Sequence, residues 1–250
     1  PLIDQIAADP GDFNALKAIP GLTFVDGADT FHFTGFATPL PYDQIRSPDW
    51  TILEEDESLD YFISTDIPWD DRAKPESSSS RFGVVQPDKG CVVRCTFCHR
   101  FERGYRVRPL DQLRRELELL KADYSVSFIG FATENFGSDK KTTWKFVEIL
   151  GEMGMRWRAG AVRVRSVSPE ILAHWKRNGC HAVYYGIETG SQRMIEVMEK
   201  KATIQMNLDA LRWTSEAGLF TILQFVIGMP GEEPFAMYLG DNMFEDPLDA

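Results

Sequence analysis

The chain has 250 residues, 43% of them hydrophobic and 26% charged, enough apolar material for a substantial core, which excludes a disordered chain. No apolar run reaches the roughly 18 to 20 residues that cross a bilayer, and the N-terminus lacks the basic-then-apolar pattern of a secretory signal, so a cytoplasmic location is expected. The net charge of −11 has one source: residues 1–80 carry 16 acids and 4 bases, and residues 81–250 carry 22 acids and 23 bases. The acidity therefore does not describe an active site.

Residues 1–79 read as an acidic connector or appendage, rich in Asp, Pro and Ser and without sustained periodicity. PLPYDQIRSPDW (39–50) reads as extended and turn-broken, GLTFVDG (21–27) as an edge strand, and KPESSSS (74–80) as a linker. A start at Pro1 rather than Met suggests a piece of a longer protein.

From Phe82 the texture changes to apolar strands alternating with amphipathic helices. A strand over 82–86 is followed by PLDQLRRELELLKADY, in which Leu113, Leu117 and Leu120 share one helical face. A strand over 124–131 precedes a helix around 142–150, which Gly151 can end. Next comes the strand MRWRAGAVRV (155–164), then a helix that Ser168 caps, Pro169 opens and Gly179 closes. A strand over 182–187, helices through QRMIEVMEK and NLDALRWTSEAG, and a strand over 219–227 complete the series. Five strand-then-helix units, the last incomplete, predict an α/β fold with a parallel sheet, either a barrel or an open doubly wound sheet. In both, chemistry gathers beyond the C-terminal ends of the strands.

Three of the four cysteines, Cys91, Cys95 and Cys98, fall in GCVVRCTFCHR (90–100), spaced C-x3-C-x2-C just after the first strand. Three thiolates suit zinc or iron-sulfur. Structural zinc normally takes four ligands; His99 directly follows Cys98 and is poorly placed to reach the same ion, and Cys180 reads as a small buried hydrophobe. The set is one ligand short of a closed site.

CVVRCTFC, with the aromatic Phe97 before the last cysteine, resembles the signature of the radical S-adenosylmethionine (SAM) superfamily. The resemblance covers about residues 80–233. It implies a partial (βα)6-type TIM-like barrel, here with an irregular N-terminal segment and an apparent truncation at the C-terminus, where 234–250 read as an irregular tail. It also implies a [4Fe-4S] cluster held by Cys91, Cys95 and Cys98. The amino and carboxylate groups of SAM would bind the remaining iron, and one electron would cleave SAM to methionine and a 5′-deoxyadenosyl radical.

On the same resemblance, Glu134 in FATENFGSD (131–139) would meet the SAM amino group, although many relatives carry Asp at the position of Thr133. Arg163 would meet the carboxylate, and Arg165, two residues on and on the same face of an extended segment, is not separated from it by sequence. In GIETGS (186–191), Gly186 and Gly190 would permit close backbone approach while Glu188 and Ser191 bind the ribose or the methionyl part. Ile227 and Gly228 in VIGMPGE (226–232) would lie along the adenine. Arg94, Arg100, Arg103, Arg106 and Arg108 form a basic patch that would meet an anionic partner or offset cluster charge. Met194, Ile195 and Met198, and Trp157, Trp175 and Trp213, read as core.

The cluster loop, GIETGS and VIGMPGE look most like radical SAM proteins with an N-terminal cobalamin-binding domain, and residues 19–50 resemble the connector between such domains. Cobalamin would then be held by a domain that this sequence does not contain. DTFHFTG (29–35) spaces Asp29 and His32 one residue too far apart for the cobalt-ligand motif, so His32 is rejected. The expected function is a radical SAM enzyme, a cobalamin-dependent methyltransferase or a related radical transformation. It would act on a small organic substrate with flavodoxin or ferredoxin as electron donor, without membrane or nucleic-acid partners. The alternatives are a methylthiotransferase-like enzyme, which needs three further cysteines, and a zinc- or cluster-stabilised interaction domain without catalysis.

Overall fold

The structure, a computed structural model, describes residues 2–9, 11–38, 40–44, 47–55, 59–63, 81–99 and 104–229. The expected linker at 74–80, the tail at 234–250, the end of VIGMPGE from Pro230, and Arg100 and Arg103 lie outside the described residues.

The chain forms two compact units, Pro1–Pro48 and Asp49–Ala250. The first contains helices α1 (Leu2–Ala8) and α2 (Phe13–Lys17) and the antiparallel hairpin β1 (Thr23–Val25) and β2 (Phe31–Phe33). Asp12 caps α2 by accepting from Asn14 N and Ala15 N. Asp26 fixes the hairpin turn through Ala28 N and Thr30 N and holds His32 Nε2 at 2.6 Å. His32 is thus tied to a carboxylate within its own hairpin.

The second unit begins before the expected boundary at 79/80. Helices α3 (Thr51–Glu55) and α4 (Leu59–Phe62) carry Trp50 and Ile63 beside them into the same core cluster as the sheet. Isolated apolar anchors in an acidic segment leave no periodicity for a sequence reading to detect.

Strand β3 (Arg81–Val85) is followed by a two-residue ribbon, β4 (Asp88–Lys89) with β5 (Arg106–Val107), which clamps the two ends of the cysteine loop. The remaining elements are α5 (Leu110–Tyr124), β6 (Val126–Phe131), α6 (Lys140–Glu152), β7 (Arg156–Val162), α7 (Pro169–Arg177), β8 (Cys180–Glu188), α8 (Gln192–Val197), α9 (Ile204–Glu216) and β9 (Phe220–Phe225). The five long strands pair in parallel in chain order, β3-β6-β7-β8-β9. A doubly wound sheet reverses its strand order at a switch point; this one advances in a single direction, as a barrel does. The α/β expectation is met, with the barrel alternative selected.

One sheet face packs the helices. Ile129, Trp157, Val183 and Tyr185 meet Leu113, Leu117, Leu120, Phe146, Leu150 and Trp175 in one core. The opposite face carries the separate pair Phe82 and Phe128. There Arg158 lies between Phe82 and Tyr184, 4.9 and 5.1 Å from the ring centroids, and donates to the Tyr184 hydroxyl at 2.9 Å. Met194, Ile195, Met198, Trp157 and Trp175 are buried, as read from the sequence, and Trp213 packs against the core. Gly179 closes α7 at φ +91°, where a Cβ would stand 2.3 Å from the Met155 carbonyl oxygen. Among the described residues no helix is long and apolar enough to cross a membrane.

Candidate functional site

Parallel strands leave their C-terminal ends at one rim, and the loops there carry the residues singled out above. The cysteine loop follows β3 and packs back on the turn after α8: Thr96 N donates to Met198 O at 3.0 Å and Thr96 Oγ1 to Val197 O at 3.1 Å. Cys98 N donates to Cys95 O at 3.2 Å, a tight turn around half-buried Phe97. Cys91 and Cys95 are half-buried and Cys98 is exposed.

After β6, Asn135 is buried, and its side-chain amide donates to Cys91 Sγ at 3.4 Å. Its backbone N–H reaches Thr133 Oγ1 at 3.3 Å, and that hydroxyl donates to Asp88. Tyr105 donates to the other Asp88 oxygen at 3.1 Å. Burial pushes the Asp88 carboxyl up to about 6, against the two hydroxyl bonds that lower it and with the charge of Glu134 adding to the rise. Glu134 Oε2 is a buried acceptor without a hydrogen-bond partner among the described residues.

After β7, Arg163 bonds the carbonyl of Lys200, and Arg165 bonds that of Lys201 at 3.0 Å. Arg165 is not in an extended segment as expected: Val164–Ser166 form a 3-10 turn, which ends the strict alternation of faces.

At the end of β8, Glu188 has φ +65° and is buried. Its carboxylate pairs with Lys200 Nζ at 2.5 Å. Gly186 makes room for the pair, since a Cβ there would stand 2.4 Å from Glu188 Oε1 and 3.1 Å from Lys200 Nζ. The same Lys200, with Arg163, is close enough to Cys95 to oppose the rise that burial imposes on its thiol. Ser191 Oγ accepts from Met194 N at 3.4 Å and so caps α8; Gly190 has open space around it. Val226 N reaches Glu188 O at 3.0 Å, which ties the end of β9, with exposed Ile227 and with Gly228 at φ +80°, to the same rim.

Cys180 starts β8 at the opposite end from Glu188. It is buried, its thiol bonds Ala182 O at 3.5 Å, and burial drives its pKa up. Among the described residues no three His, Cys, Asp or Glu gather about a single-ion position. Within the basic patch, Arg108 is buried in a 2.6 Å ion pair with Glu116, Arg94 is exposed, and Arg106 lies in β5.

Lys200, Asn135 and Asp88 belong to the rim and were not singled out from the sequence. EKK (199–201) reads as a helix end and PDKG (87–90) as a turn; only the long-range contacts reveal them.

The donor set fits a thiolate-bound cluster with an amine-bearing ligand. Three soft donors share one loop, an N–H points at one sulfur, cations flank another, and a buried carboxylate oxygen awaits a donor.

A family model described as the Radical SAM superfamily matches residues 85–235. An uncharacterized methyltransferase of Pyrococcus horikoshii is 31% identical over 222 residues, covering 87% of this chain and 44% of its own. The anaerobic magnesium-protoporphyrin IX monomethyl ester cyclase of Cereibacter sphaeroides is 28% identical over 226 residues, covering 86% and 34%. The solved structure of the cobalamin-dependent S-adenosylmethionine radical enzyme OxsB, with aqua-cobalamin and S-adenosylmethionine bound, aligns at TM-score 0.66 and 20% identity. That alignment covers 90% of this chain and 32% of OxsB, a likeness of fold. The chain spans less than half the length of these relatives.

Proposed function

The chain belongs to the radical SAM superfamily, and on that premise we propose that it is the core of an enzyme that cleaves SAM reductively and uses the radical for methylation or a related transformation of an organic substrate. Cys91, Cys95 and Cys98 hold a [4Fe-4S] cluster; when bound, it supplies the single electron for cleavage. The observation that carries this is the meeting, at one strand-end rim, of the loop bearing the three cysteines with Asn135, which donates to Cys91, and with Lys200 and Arg163, whose charges act on Cys95.

The chain's own residues bind and orient. Glu134 Oε2 accepts from the SAM ammonium, and that contact would satisfy its lone buried oxygen. Arg163, held beside the Lys200 carbonyl, offers its guanidinium to the SAM carboxylate. Glu188 faces the ribose from its pair with Lys200. Ile227 and Gly228 give a backbone edge to the adenine, and Phe97 walls the cluster loop. Methylation is supported by the identity to the Pyrococcus methyltransferase. Cobalamin, carried by a domain outside these 250 residues, and a flavodoxin or ferredoxin as electron source complete the proposal.

The test is anaerobic reconstitution of the full-length protein with iron and sulfide, reduction in the presence of SAM, and assay for 5′-deoxyadenosine. About four irons per chain are expected, with a SAM-dependent change in the EPR spectrum of the reduced cluster. Stoichiometric zinc without iron would sink the proposal. Alanine at Cys91, Cys95 or Cys98 is expected to abolish cluster assembly, and an intact cluster in any of the three removes that residue as a ligand.

A further inference from the structure

We infer that Asn135 is a positioning residue for the cluster, whose side-chain amide donates to the sulfur of Cys91 and thereby raises the reduction potential of the cluster bound there. The inference rests on the cysteine ligation proposed above and adds a donor to it.

The geometry is specific. Asn135 is 1% exposed, and its Nδ2 stands 3.4 Å from Cys91 Sγ. Both sides of the residue are anchored. On one side its backbone N–H reaches Thr133 Oγ1, which is itself held by Asp88. On the other, Phe136 is packed 4.7 Å from Phe131 and 5.4 Å from Trp175 between ring centroids. The backbone that carries the amide is therefore fixed beside the cysteine loop by a buried network.

Chemistry fixes which end of the amide faces Cys91. A metal-bound thiolate has no proton to give and only accepts, so the NH2 must point at it and the carbonyl oxygen must point away. That oxygen is buried without a partner among the described residues. An apolar residue of the same size would avoid the cost of burying an unsatisfied group. A donor placed at that sulfur despite the cost is what a tuning contact predicts.

A hydrogen bond to a ligand sulfur draws electron density from it. The reduced cluster carries one more negative charge than the oxidised one, so the bond stabilises the reduced form more and raises the potential. The residue would set how strong a reductant the cluster is when it meets SAM.

The experiment uses the full-length protein, reconstituted anaerobically, without SAM. Iron is counted first: a wild type that assembles no cluster removes the ligation reading and this inference with it. In wild type and Asn135→Leu of equal iron content, reduction is then followed by EPR against a graded potential. At the potential where wild type is half reduced, Asn135→Leu is expected to show a roughly tenfold lower ratio of reduced to oxidised cluster, equivalent to a potential about 59 mV more negative. Equal potentials overturn the inference. If Asn135→Leu does not hold a cluster, wild type labelled with 15N in the asparagine side-chain amide decides. A weak 15N coupling to the reduced cluster in pulsed EPR supports the contact, and its absence overturns it.

Discussion

The ammonium of Lys200 lies 2.5 Å from the Glu188 carboxylate, with only 5% and 11% of the two side chains exposed. Removing one partner from such a pair strands the other charge away from water, which costs far more than the pair itself contributes. Lys200→Met should therefore lose about 3 to 5 kcal/mol in urea unfolding. The double variant Lys200→Met, Glu188→Gln should recover most of that loss. If the single and double variants unfold alike, Glu188 is solvated in the folded protein.

Gly186 is the position where close approach limits the site. An alanine Cβ would stand 2.4 Å from Glu188 Oε1, so the carboxylate has to move rather than the strand. Overpacking of this kind costs about 1 to 3 kcal/mol. Gly186→Ala is expected to keep full iron content while binding SAM more weakly by equilibrium dialysis. Unchanged affinity would mean that the Glu188 carboxylate is not in contact with SAM.

Most strand ends and caps were legible because each depends on neighbours within a few residues, although Gly151, expected to end its helix, lies within α6, which Met153 caps. Leu113, Leu117 and Leu120, read as one helical face, are fully buried, and GIETGS falls where β8 gives way to α8. What stayed hidden depends on distant partners. Lys200 finds Glu188 across α8, Asp88 finds Thr133 forty-five residues away, and Trp50 reaches a core built mostly from residues after 80. Arg165 was misplaced for a local reason: an extended run looks the same in sequence whether or not a 3-10 turn interrupts it.

Ser168 is the cap read from sequence that the structure bears out most directly. Its hydroxyl accepts from Ile171 N at 3.3 Å, and Pro169 follows at the first helical position. Ser168→Ala should destabilise the unit by about 1 kcal/mol. The loss should appear as a lower urea midpoint at constant slope, and an unchanged midpoint would show that the cap contributes nothing to folding.

Asp88 gives the clearest pH signature. Its carboxyl moves from an ordinary value of 3.8 to about 6 because burial disfavours the anion. A raised carboxyl pKa means that the folded state holds its proton while the unfolded state has already released it. The stability tied to the protonated form is thus complete below about pH 3.8, declines as pH rises, and is gone above about pH 6. The size of that decline is about 3 kcal/mol, from 1.36 kcal/mol per pKa unit. Asp88→Asn keeps the shape, gives Tyr105 or Thr133 an oxygen to bond, and cannot ionise. Measured side by side, the stability of Asp88→Asn relative to wild type should rise by about 2 to 3 kcal/mol between pH 4 and pH 7. Taking the difference cancels every other titrating group. A difference that stays flat across that range would mean that Asp88 ionises as freely in the folded protein as in the unfolded chain, and the hydroxyls of Thr133 and Tyr105 would then be holding an ordinary carboxylate.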